Sequence, residues 1–231
     1  MENMRYSAAD RMSDLVTGNY RILLVMSRFG IRLGVGDRTI GQVCGESGVD
    51  TATFIAVVNM LLDPGGDADA YVGSVSVPSL LQYLHNSHDY FLGFRLPGIR
   101  RDLAAALGGQ QDDLTGAVIR YFDEYVSEVR KHMMYEEKTV FPYVRSLVAG
   151  DGRGEYNIGI FRGRHDQVEV RLTEFKNILI KYYPAPSGNE LGSVLFDIFN
   201  CEEDLASHNR IEDRLFVPAI ALMEQKTGSA K

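Results

Sequence analysis

From Pro78 to near its C-terminus the chain keeps apolar residues at helical spacing, and it breaks that spacing three times, each time at a cluster of Gly, Pro or Asp. No other feature constrains the fold as much, because long amphipathic helices joined by short turns bury their apolar stripes most directly as antiparallel neighbours. Ser79 can cap a first helix reaching about Leu107, where Gly108 and Gly109 stop it. Asp112 or Asp113 caps a second that runs to about Val148, and the turns AGDGRGE (149–155) and YPAPSGN (183–189) delimit the third and fourth. The expected fold is all-α: an antiparallel up-down-up-down four-helix bundle over residues 79–225.

A smaller helical region precedes it. Apolar periodicity around Leu15 to Phe29 is followed by Gly30, Gly34 and Gly36, and then by an apolar stretch from Thr51 to Leu62 with Asp50 or Thr51 as N-cap. Residues 63–78 (DPGGDADAYVGSVSVP) are rich in Gly, Pro, Asp and Ser and read as a linker. The chain thus divides into a small helical N-terminal domain (1–62), a linker and the bundle. A domain that small buries little surface alone and must pack on the bundle or on a second copy, which would make a homodimer.

Of the 231 residues, 45% are apolar and 24% charged, the balance of an ordinary globular protein. A net charge of -7 argues against a nucleic-acid partner, since phosphate binding needs clustered Lys and Arg. With no membrane-length apolar run and no basic-then-apolar start, the expectation is a cytoplasmic protein that does not contact membranes. Cys44 and Cys201, far apart and in no Cys-x-x-Cys arrangement, suggest neither a disulfide framework nor a thiolate metal site.

All five histidines follow the linker and fall on all four expected helices: His85 and His88, His132, His165, and His208. In KHMMYEEKTVFP and SHNRIEDRLFVP a Glu follows the His by four residues (Glu136, Glu212), an acidic residue comes next (Glu137, Asp213), and a Pro follows the His by ten (Pro142, Pro218). An i, i+4 pair sits on one helix face, so helices two and four each offer an imidazole and a carboxylate in the same direction. In an antiparallel bundle His85 and His165 come to a similar level from helices one and three. The candidate metal ligands are therefore His85, His132, Glu136, His165, His208 and Glu212. His88 could be a fifth histidine ligand or a partner on the adjacent face. Glu137 and Asp213, about 100° round the helix from the Glu before them, read as solvated or as hydrogen-bonding to a ligand.

Imidazole and carboxylate donors without thiolate suit iron or manganese better than structural zinc. A carboxylate from each of two helices can bridge two ions, leaving positions for water, hydroxide, an oxo bridge or a diatomic gas.

From Ser79 to Met223 the chain resembles a hemerythrin-like (HHE) domain, and HMMYEE, RGRH and SHNRIEDRLFVP resemble the RIC (repair of iron centres) di-iron proteins in particular. The resemblance implies two iron ions, oxo- and carboxylate-bridged, held by four His and two Glu. It assigns these to His85, His132, Glu136, His165, His208 and Glu212, taking His85 over His88. It extends to the first domain, where RIC proteins carry a Cys-Cys-Gly-Gly-like turn. This chain has FGIRLGVGDRTI there, with Gly34 and Val35 in place of the thiols, so redox exchange through paired cysteines does not carry over.

Three functions follow as expectations. The first is protection or repair of damaged iron-sulfur proteins under oxidative or nitrosative stress, or iron donation to them. The second is reversible binding or sensing of O2 or NO. The third is turnover of peroxide or NO at the same centre.

Overall fold

The computed structural model describes residues 5–108, 113–151, 156–161, 166–184 and 188–228, with side chains for all but 166–170 and 227–228. The chain is all-α. Among the described residues no β-strand occurs, only an isolated bridge between Arg11 and Thr39. Two compact units are present: one comprises Met1–Ser87, Phe141–Arg162 and Arg210–Lys231, the other His88–Val140 and Gly163–Asn209.

The first unit opens with α1 (Met12–Gly18) and α2 (Ile22–Arg28), where the periodicity predicts one helix from Leu15 to Phe29. Asn19 divides them: its side-chain oxygen accepts the Arg21 N–H at 3.0 Å, a turn that offers the backbone an alternative to helix. Next comes α3 (Ile40–Glu46), too short and Gly-interrupted to register as periodicity. It starts with a reciprocal capping box between Thr39 and Gln42. Helix α4 (Thr51–Leu62) has the expected bounds and the expected cap, with Asp50 accepting from the Thr53 N–H at 2.8 Å. Phe29 packs on Phe54 and Tyr83, so Tyr83 is a core residue.

The Gly- and Asp-rich segment 63–78 contains α5 (Asp69–Val72). The Arg214 guanidinium donates to the carbonyls of Pro64 and Gly66, each at 2.6 Å, and Ser76 N–H donates to the Thr53 hydroxyl. Helix α6 (Val77–Tyr90) begins two residues before the Ser79 that was expected to cap it. Ser76 is the cap, accepting from the Ser79 N–H, and Pro78 sits in the first turn, where a missing N–H costs nothing.

The second unit has a core of Leu96, Ile99, Leu103, Phe122, Tyr125, Val129, Leu172, Phe175, Leu179 and Ile198, among others. These come from α7 (Leu96–Ala106), α8 (Asp113–Tyr135), and, after α9 (Phe141–Val148), from α10 (Asp166–Tyr182) and α11 (Gly188–Ile211). Polar rungs fix the helices against one another: Arg95 with Asp197, Tyr121 with Glu174, Lys176 with Glu202. Gly108, at φ 74°, ends α7 as expected; Gly109 and Asp112 lie outside the described residues.

Three of the long helices widen once, for five residues, into π-helix: Phe91–Arg95, Glu136–Val140 and Glu212–Phe216. In each the chain continues as α-helix, the last continuation being α12 (Val217–Gly228), and a Pro stands six residues after the first π residue: Pro97, Pro142, Pro218. Proline has no N–H to give and its ring collides with the carbonyl four residues back. An i→i+5 turn relieves both conflicts, as in the bonds from Leu96 N–H to Phe91 O and from Val217 N–H to Glu212 O. The prolines of the repeated motif thus have a local structural consequence, and it falls on Glu136 and Glu212.

Candidate metal centre

Glu136 is the first residue of its π turn and is fully buried; His132 lies one turn before it. Each oxygen of the Glu136 carboxylate faces a different imidazole. Oε1 lies 2.8 Å from His132 Nε2, and Oε2 lies 2.9 Å from His88 Nε2. The His88 and His208 rings meet edge to face with centroids 5.2 Å apart, and Phe91 packs on His208 at 5.9 Å. Glu212 follows His208 by one turn of the same helix and opens the next π turn. Donor atoms of His88, Glu136, His208 and Glu212 all lie within 4.8 Å of one another, and none of the four residues is more than 2% exposed.

These residues suit a cation. Two fully buried carboxylates in one group repel each other and are costly to desolvate, and positive charge between them removes both penalties. Imidazole nitrogen and carboxylate oxygen about 2.1 Å from one ion, at right angles, lie about 3.0 Å apart, close to the spacings around Glu136. The donor set is nitrogen and oxygen only, which favours iron, manganese or zinc over softer ions.

The other expected ligands stand differently. His85, half-buried on α6, is not in the group; the neighbour His88 is. Both lie on one helix three residues apart, so sequence spacing alone leaves either able to face the bundle interior. His165 lies outside the described residues. His132 joins through Glu136, as its contact shows.

The first unit offers no thiol pair. Gly34 adopts φ 88°, a left-handed conformation that a cysteine at the same place would hold only with strain. Cys44 is buried in α3, and burial pushes its thiol up from 9.0 to about 11, partly offset by a hydrogen bond with Thr51. At pH 8 its thiolate population is then about 100-fold below that of an ordinary cysteine. Iodoacetamide labelling of Cys44, followed by peptide mass spectrometry, is expected to be slow in the native protein and fast in urea. Equal rates would mean that Cys44 is an exposed, reactive thiol.

A buried His and Glu group on helices of this length defines a cation-binding helical bundle. The family profile of the Hemerythrin HHE cation binding domain matches residues 79–220, and the chain belongs to that family. Comparison with curated proteins gives no match. No helix among the described residues is long and apolar enough to cross a membrane.

Proposed function

We propose that this chain is a non-haem di-iron protein that protects or repairs iron-sulfur proteins, or donates iron to them, during oxidative or nitrosative stress in the cytoplasm. The observation that carries the two-ion reading is the Glu136 carboxylate, whose two oxygens each meet one histidine, as a bridge between two ions requires. The proposed ligands are His88, His132, Glu136, His208 and Glu212, with His165 added from the resemblance. His88 takes the place that the resemblance gave to His85.

When bound, an iron pair supplies open positions for O2, NO or peroxide and a change of oxidation state. The chain's own part is to hold the donors, and the buried Phe91 beside His208 limits the access of water to them. Incubating the iron-loaded protein with an NO-damaged iron-sulfur enzyme is expected to restore that enzyme's activity. No recovery at stoichiometric excess would count against the repair role.

A second reading, reversible O2 or NO sensing, is favoured by the missing cysteine pair and by the buried Cys44, since a sensor needs no accessible thiol. It expects a gas adduct whose visible spectrum forms and reverses over repeated cycles. Rapid oxidation without reversal would sink it.

A further inference from the structure

Two consecutive carboxylates hold one imidazole. Glu136 Oε2 lies 2.9 Å from His88 Nε2, and Glu137 Oε1 lies 2.8 Å from Nδ1 of the same ring. On an α-helix, neighbouring side chains diverge by about 100°, which is why the sequence reading points Glu137 away from the site. The π turn that begins at Glu136 spreads one turn over more residues, so the two side chains diverge less and both reach the same helix. His88 is 2% exposed and Glu137 17%, so Glu137 closes the outer side of the ring.

We propose that Glu137 is the positioning residue of this centre: it accepts the His88 Nδ1–H and thereby aims the lone pair on Nε2 at the cation beside Glu136. The proposal rests on the reading of His88 and Glu136 as ligands. An ionised carboxylate can only accept, so the proton must sit on Nδ1. A neutral imidazole then binds a cation through its other nitrogen, with the ring held against rotation by its carboxylate partner. Without Glu137 the ring populates the other tautomer and orientation, and the fraction competent to bind falls. The sequence repeats an acid at this place in both motifs, but only the geometry shows which histidine Glu137 serves.

The test uses the full chain, anaerobic Fe(II) titration against a competing chelator, and nitrogen-proton NMR of the His88 ring in the Zn(II)-loaded protein. Glu137→Ala is expected to weaken Fe(II) binding about 10- to 100-fold while reaching the wild-type stoichiometry at saturation. Glu137→Gln, which keeps an acceptor oxygen and nearly the same shape, is expected to fall between the two. The downfield, slowly exchanging Nδ1–H of wild type should move upfield in Glu137→Gln and disappear in Glu137→Ala. A purely structural role would lower the melting temperature and leave these resonances in place. Wild-type affinity together with an unchanged ring spectrum in Glu137→Gln overturns the proposal and leaves the metal reading standing. A wild-type protein that binds neither Fe(II) nor Zn(II) overturns both.

Discussion

Replacing Glu136 by Gln is expected to drop the metal content of the purified, iron-loaded protein from about two ions per chain to below one, with loss of its visible colour. The expectation follows from position. Glu136 carries an imidazole on each carboxylate oxygen, so in the proposed two-ion centre its removal affects both ions, whereas His132→Ala removes one donor from one of them. Gln keeps the volume in a fully buried place and avoids the cavity that Ala would leave, which keeps unfolding out of the result. A neutral amide carries no charge to offset the ions and can donate to an imidazole lone pair, so the metal-free variant should be at least as stable as the metal-free wild type. Elemental analysis and thermal melts of both proteins check this together. Unchanged metal content in Glu136→Gln would remove Glu136 from the centre and the bridged reading with it.

Stripping the metal from the wild-type protein should lower its melting temperature by about 8 to 16 °C. Ions that bind only the folded chain stabilise it by about 4 kcal/mol at a thousandfold excess over their dissociation constant. For a chain of this size each kcal/mol moves the midpoint by about 2 to 4 °C. The structural reason is the group itself: it holds two buried carboxylates, Glu136 and Glu212, and a cation offsets the cost of desolvating them. Calorimetry of chelated and reloaded protein measures the difference. Equal midpoints would mean that His88, Glu136, His208 and Glu212 form a self-sufficient polar core, and the functional reading would reduce to a helical interaction domain.

Much of the fold was legible because helices announce themselves locally. Periodicity and the Asp50 cap located α4 to the residue, and Gly108 marked the end of α7. Where a side chain competes with helix geometry, periodicity misplaces the ends: Asn19 splits one expected helix into two, and Ser76 caps α6 in place of Ser79. The π turns were present in the sequence only as prolines at a constant distance from histidine, a regularity whose meaning is backbone geometry. Phe91 opens a third such turn, at the place that Glu136 and Glu212 take in theirs, and no metal-binding side chain marks it in the sequence.

By itself the sequence determined that the chain is helical, and that His132 with Glu136 and His208 with Glu212 share helix faces, because an i, i+4 relation is a property of the helix alone. Only the tertiary structure decided that His88 meets Glu136 and His208, and that Glu137 turns toward the His88 ring. Such choices depend on how each helix is rotated about its axis against its neighbours. That rotation is set by the packing of whole faces and by π turns, which no spacing within a single helix encodes.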